Sequence, residues 1–395
     1  MNQLGALRDS FVGRASTVSG RVRTWCEPHF TGIVAVAAFL IYAATGAYGG
    51  QSIDVGAAEE PAWALATLGT LDLSQVAHHD LPWYFAHGSG LFSDRFPGAI
   101  FFLVPGYWLA DLFGVHEFST IPGVLSAAGF AAATVGIMSA VFSRVLATGQ
   151  ARIATLFFAF GTGTWTISGH APWSHTIGQF FVALTLLALS RERDRLGALT
   201  AGFLTLTRPV EAIAVVVLGA TLAWLRKSWQ TLIWFAMLVV PGVALLFTYN
   251  GLMFDHWGPS NGHELGGEID FSPTDLPVNV LGTLFAPWRG LLFYYPFLVL
   301  VPVAFKAAWQ AARDWERAAF LAGIFELLAQ LALNRYSGGD TFFGNRLVIE
   351  PLTFAAPVLA RSVVCVMQGR RHAFMAALLT AGVFIHAFGA TVPPF

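Results

Sequence analysis

The chain has 395 residues, a net charge of −1, 55% hydrophobic and only 11% charged positions, and a mean hydropathy of +0.61. A soluble domain carries charge on about a quarter of its positions, so the soluble classes are excluded and one multi-spanning membrane domain, 1–395, is the simplest account. The 22 Lys and Arg form no long basic block, which argues against nucleic acid as a partner.

Residues 1–30 carry Arg8, Arg14, Arg21 and Arg23 ahead of the apolar run 31–48. A lead of that length is long for a signal peptide, so it reads as a cytoplasmic N-terminal segment before a retained signal anchor. A helix needs about 20 residues to cross the hydrocarbon. Spans are expected near 31–48, 120–142, 151–167, 176–190, 197–207, 210–225, 231–249, 291–312, 318–333, 347–364 and 373–391. The fold class is therefore all-α and polytopic, with about 11 transmembrane helices and interfacial helices on the outer surface.

The run 99–113 is short, Pro105-Gly106 is expected to interrupt it, and Tyr107 and Trp108 prefer an interface. Laying it on the outer surface puts 17 of the 22 basic residues on the inner side and leaves Arg95, Arg208, Arg289, Arg335 and Arg346 outside. The positive-inside rule favours that arrangement. Three outer loops follow: 49–119 with its interfacial helices, 250–290, and 334–346. They are acidic and rich in histidine, which places the chemistry on the non-cytoplasmic side. Cys26 and Cys365 have no metal or redox spacing and are expected to be inert.

Asp54 lies six residues beyond Tyr48, at the mouth of the first span. Glu59 and Glu60 follow, and if Glu60 opens a helix at Pro61 the chain can curl these acids around one cavity; the plainer reading is a solvated rim and a helix dipole. Asp94 stands beside Arg95, either as a surface ion pair or as a group that holds a substrate hydroxyl. His170 and His175 flank Pro172-Trp173, either as interfacial anchors or as ligands for a phosphate or a divalent ion. There is no HExxH or comparable spacing, so no metal site is assigned; a divalent metal is compatible with these residues and not required by them. Arg208, in LTRPVEA, is a charge where charge is expensive, with Glu211 as its nearest partner. Arg289, Arg335 and Arg346 are forks suited to a phosphate ester, or contacts to lipid headgroups.

Taken in order, these features resemble the polytopic glycosyltransferases of the C superfamily, relatives of aminoarabinose and protein mannosyltransferases. The resemblance runs the length of the chain. It rests on the Asp after the first span, the long first loop, LTRPVEA, YNGLMFDHWGPS, LFAPWRGLLFYYPFLVLVP and YSGGDTFFGNRLVIEPLTF. The last two are similar to the family's SPxRGLxxYxP and WxGGxSxGxRYLxxxLP stretches, with Leu347 where the family has Tyr and Tyr336 or Ser337 at its Trp.

The resemblance implies inverting transfer of a sugar from a polyprenyl-phosphate donor to an envelope lipid, glycan or protein acceptor. It also implies that the chain is a multi-pass protein of the bacterial inner membrane with its active site facing the periplasm or exterior. Asp54 would be the base, Asp94 the second loop acid, and Arg289 or Arg346 the neighbours of the donor phosphate. The chemistry is economical: a glycosyl phosphate carries its own leaving group, so one carboxylate and a cation suffice, and direct attack inverts the anomeric carbon. A flippase or transporter of a phosphate-bearing lipid and a lipid-linked glycan polymerase are the competing readings.

Overall fold

The computed structural model describes residues 29–49, 52–75, 83–259 and 273–392. Arg8, Arg14, Arg21, Arg23 and Cys26, and the centre of the predicted middle loop, lie outside the described residues. The apolar runs fold as helices: α1 (His29–Ala44), α2 (Ile53–Leu68), a hairpin of β1 (Tyr84–His87) and β2 (Gly90–Ser93), α3 (Pro97–Leu112), α4 (Ile121–Val145) and α5 (Thr148–Phe160). A single π-helical turn, Thr164–Ser168, precedes α6 (Ser174–Ser190), α7 (Asp194–Thr207), α8 (Glu211–Arg226), α9 (Trp229–Leu238) and α10 (Val240–Phe254). After the middle loop come α11 (Leu276–Phe285), a short turn Leu291–Tyr294, a 3₁₀ segment Pro296–Leu300, α12 (Val301–Ala311), α13 (Asp314–Leu333), α14 (Ile349–Met367) and α15 (His372–Thr391).

Among the described residues, four helical segments are long and apolar enough by themselves to cross a membrane: Ile121–Val145, Trp229–Phe254, Arg346–Met367 and His372–Thr391. Of the other expected spans, α13 is as long as α15 but carries more charge, the rest are shorter helices, and the run 291–312 is divided by Pro296 and Pro302. The predicted stop and restart at Arg208-Pro209 is present, with α7 ending at Thr207 and α8 opening at Glu211.

Two sequence expectations fail locally. Pro105-Gly106 does not interrupt α3, which runs through both; Gly106 lets the helix approach Ser126 so closely that a Cβ would lie 2.1 Å from its hydroxyl. Nor does a helix begin at Pro61. The side chain of Ser52 caps α2 by accepting from the Asp54 amide, and Pro61 sits inside the helix. A proline cannot donate to the carbonyl four residues back. Here that carbonyl is Ala57, and it accepts the Ser93 hydroxyl instead at 2.5 Å, which fastens the hairpin to the helix.

The principal core lies among α4, α6, α7, α8 and α13, where Ala127, Ala128, Ala131, Ala318, Ala319 and Ala322 are buried. Small side chains allow backbones to approach, and packing is what holds helices together where lipid is as apolar as the protein. A second cluster, including Ala62, Trp63, Ile100, Leu103 and Tyr107, joins α2 to α3 under the hairpin.

Helix ends sort by charge. The C-terminal end of α4 meets that of α6 through Arg144 and the Ser190 carbonyl at 3.4 Å. Arg226 pairs with Asp194 at 2.5 Å, and Arg361 takes Glu316 in a two-pronged pair of 2.5 and 3.0 Å. At the opposite ends of these helices lie His175, Arg208, Glu350 and the start of α2.

Candidate functional site

Asp54 stands in the first turn of α2, where a carboxylate suits the positive end of the helix. Its two oxygens meet two guanidinium groups. Arg346 Nη1 donates to Oδ2, and Arg95 Nη1 lies 3.4 Å from Oδ1. Arg95 is itself anchored: its Nε donates to Asp94 at 2.8 Å, and its guanidinium lies 4.6 Å from the centre of the Trp83 ring. Asp94 is fully buried at the end of the hairpin. The result is a chain of alternating charge, Asp94–Arg95–Asp54–Arg346, reaching from the first loop to the last. Asp54 and Arg346 stay partly open, with side chains 16% and 19% exposed.

Arg346 begins a 3₁₀ turn leading into α14, and the turn is set by Asn345. The Asn345 side-chain oxygen accepts from Leu347 N at 3.0 Å, and its amide donates to the carbonyls of Arg289 and Tyr336, both at 3.2 Å. The guanidinium of Arg346 lies 4.8 Å from the Trp173 ring and 5.2 Å from Phe342. Those rings pack edge to face and form a wall that holds the cation by its faces.

The preceding loop needs left-handed backbone at Gly338, Gly339 and Gly344, with φ of 66°, 95° and 92°. Only glycine adopts this without strain. Arg289 pins that loop: it donates to the carbonyls of Phe342 (2.8 Å), Gly344 (2.7 Å) and Gly339 (3.0 Å), and stacks 4.2 Å from Phe342. Its fork is thus aimed at backbone, whereas that of Arg346 is aimed at Asp54. Arg335 is exposed, away from these contacts.

Glu59 and Glu60 do not curl around a cavity with Asp54, because all three occupy one helix. At about 100° per residue, five and six positions turn both glutamates well away from Asp54. Both are fully buried. Glu60 accepts the Tyr84 hydroxyl at 2.7 Å, and burial together with Glu60 raises the pKa of that phenol. Glu59 packs on Gly123, where a Cβ would come within 1.9 Å of Oε1, with the Tyr107 hydroxyl beside it.

The two histidines separate as well. His170 lies between the ends of α1 and α15: its carbonyl accepts from Ala47 N at 2.8 Å, and burial lowers the pKa of its ring. His175 is buried deeper, in a polar cluster that sequence reasoning did not assemble. Its Nδ1 lies 2.9 Å from Glu350 Oε2 and 3.1 Å from Arg208 Nη1, so it can serve only one of them at a time. Arg208 donates to Gln330 at 2.8 Å and lies 3.6 Å from Glu211 and 3.8 Å from Glu350. Glu211, Glu326 and Glu350 bring carboxylate oxygens within 4.8 Å of one another. The signal in the sequence was the expense of a charge at this depth, which identified Arg208 but not Glu350 or Gln330.

An apolar cavity of about 300 Å³ runs between α5 and α14, lined by Phe157, Phe158, Leu352, Ala356, Leu359 and Val363. Its polar end is formed by Thr164, Gln179, Thr353 and Tyr295, and Ile349, three residues beyond Arg346, also lines it. Gln179 donates to Thr164 and Thr353 at 2.9 and 3.0 Å.

No family model and no curated protein sequence matches the chain. Solved structures do match its fold. ArnT from Cupriavidus metallidurans in the apo state superposes with a TM-score of 0.56 at 13% identity, over 89% of this chain and 62% of that one. The Archaeoglobus fulgidus oligosaccharyltransferase in complex with Zn and sulfate gives 0.56 at 12% identity, over 91% and 53%. The archaeal oligosaccharyltransferase AglB from the same organism, in complex with an inhibitory peptide and a dolichol-phosphate, gives 0.54 at 12%, over 93% and 56%. The chain therefore shares the fold of ArnT and of these oligosaccharyltransferases. The chain spans between half and two thirds of the length of these structures.

Proposed function

We propose that the chain is an inverting membrane glycosyltransferase that moves a sugar from a polyprenyl-phosphate donor to an envelope lipid, glycan or protein acceptor. The observation that carries this reading is the pairing of Asp54 with Arg346 at one end of a C-type fold, with the apolar cavity running down from the same end. In this reading the chain crosses a bacterial inner membrane about 11 times, and the site faces the periplasm or exterior. The shorter helices complete the bundle around the four long ones.

Asp54 takes the proton of the acceptor hydroxyl as its oxygen attacks the anomeric carbon. The bond to the phosphate oxygen breaks on the opposite face, its electron pair stays with the phosphate, and the configuration inverts. Arg346 receives the charge that develops there. Arg95 and the buried Asp94 orient Asp54, and Arg289 shapes the loop that presents Arg346. The cavity between α5 and α14 suits an isoprenoid chain, being almost wholly apolar. Glu59, Glu60, His170, His175, Arg208 and Arg335 stand behind or beside this arrangement. Both oxygens of Asp54 already face guanidinium groups, so a divalent ion at Asp54 would have to displace Arg95 or Arg346, and no step here depends on one.

Purified protein incubated with a panel of polyprenyl-phosphate sugars and envelope extracts, with products read by mass spectrometry, tests the proposal. Glycoside should form, and Asp54→Asn should lower turnover by about 10² to 10⁴. Near-normal transfer by that variant would remove Asp54 as the base. Movement of phosphate-bearing lipid across a bilayer with no glycoside formed would favour the flippase instead.

A further inference from the structure

Arg346 has two claims on it. In the structure it is bonded to Asp54, and in the proposed reaction it must also meet the donor phosphate. We infer that it is shared in sequence: the donor phosphate draws the guanidinium away from Asp54 on binding, and only then is the carboxylate a competent base. This inference rests on the proposed glycosyl transfer and adds an order of events to it.

Four features of the site support the exchange. First, the pair is reachable, since both side chains keep some exposure. Second, Arg346 is held by ring faces, Trp173 at 4.8 Å and Phe342 at 5.2 Å, which restrain position without using its N–H donors. Among the described residues its Nε has no hydrogen-bond partner, so the fork has capacity beyond the one carboxylate oxygen it serves. Third, a phosphate ester offers more acceptor oxygens than the single carboxylate oxygen that Arg346 now engages, and matches a guanidinium fork in two prongs.

Fourth, the two cations around Asp54 are unequal. Arg95 gives its shorter bond, 2.8 Å, to the buried Asp94, rests on Trp83 and reaches Asp54 only at 3.4 Å. It is tethered and stays. Among the described residues, Arg346 directs its side-chain hydrogen bond to Asp54 alone, and it is the one that can be drawn off. A carboxylate relieved of one of two cationic neighbours is a stronger proton acceptor. Donor binding thus strengthens the base, while Arg95 keeps it pointed. When the glycosidic bond to phosphate breaks, the ester's single negative charge becomes two, and Arg346 is already in contact with the oxygens that receive it.

A double-mutant cycle separates this from simple repulsion between Asp54 and the phosphate. The probe is a polyprenyl phosphate without sugar, titrated by calorimetry against full-length protein in nanodiscs. Four forms are compared: unmodified, Asp54→Asn, Arg346→Gln, and both together. Asp54→Asn should bind the probe about 10-fold tighter, because Arg346 no longer has to leave a partner. Arg346→Gln should bind more weakly, and adding Asp54→Asn to it should change nothing further.

If Asp54→Asn tightens binding by the same factor with and without Arg346, or leaves it unchanged, the exchange does not occur and the inference is overturned while the enzyme reading stands. If the unmodified protein does not bind the probe at all, the inference and the proposed donor fall together. Asp54→Ser, which also lacks the charge, must reproduce the gain of Asp54→Asn. A gain seen with only one of them would be a packing effect and would overturn the exchange.

Discussion

Replacing Arg289 distinguishes a loop organiser from a phosphate ligand. Its guanidinium donates three hydrogen bonds of 2.7 to 3.0 Å to backbone carbonyls of the last loop and stacks on Phe342. A hydrogen bond to a charged group contributes about 1.5 to 3 kcal/mol, and because the three share one side chain, a combined loss of about 3 to 5 kcal/mol is expected. Local opening of the loop should then become easier by roughly a hundred-fold to a few thousand-fold, at about 1.4 kcal/mol per factor of ten. Hydrogen exchange at the amides of 338–345 reads this directly. A lysine keeps the charge but cannot fork to three carbonyls, so Arg289→Lys should lose nearly as much protection as Arg289→Ala. If Arg289→Lys retains full protection and phosphate-lipid affinity while Arg289→Ala loses only the affinity, the residue works by charge on a ligand and the organiser reading is refuted.

On the opposite end of the bundle, Arg361→Met should cost about 3 to 5 kcal/mol in thermal or denaturant stability, since it strands the fully buried carboxylate of Glu316; the joint change Arg361→Met with Glu316→Leu should recover most of it. Gly123→Ala should destabilise the packing of α2 on α4 by about 1 to 3 kcal/mol, because its methyl meets Glu59; limited proteolysis of the first loop would report the loosening. For the proposed topology, a label at position 193 or 370 should be reached only from the cytoplasm and one at 264 only from outside, and reactivity of 193 and 264 from one side would undo the orientation.

Much of the fold was legible because hydropathy is a one-dimensional signal: a helix in lipid needs an apolar run, and the runs are where the helices are. The failures occur where a residue's meaning depends on a distant neighbour. Pro61 signals a helix start until Ser93 supplies the hydrogen bond that its ring denies to Ala57. Pro105-Gly106 signals a break until the glycine is seen to face Ser126. For the site, residue type picked out several side chains that the fold brings together, Asp54, Asp94 and Arg346 among them, and was a poor guide to their pairing. Asp94 and Arg95 are adjacent in sequence, yet the contact that gives Arg95 its place in the site is with Asp54. Arg289 and Arg346 look equivalent as rim arginines, and only the glycine-shaped path of the loop decides that one binds backbone and the other the carboxylate.

The ion pair of Asp54 with Arg346 joins residues 292 positions apart. A membrane protein is threaded into the bilayer from its beginning, so α2 and its carboxylate take up their position long before the segment carrying Arg346 leaves the ribosome. The site is therefore completed only when the segment carrying Arg346 has been made. A nascent chain halted after α13 would present Asp54 and Arg95 but no Arg346, and of the aromatic wall it would have Trp173 without Phe342. Such a fragment could sit in the membrane beside lipid-linked sugars without the cation that the proposed chemistry needs, so partly made copies are expected to be inert rather than promiscuous.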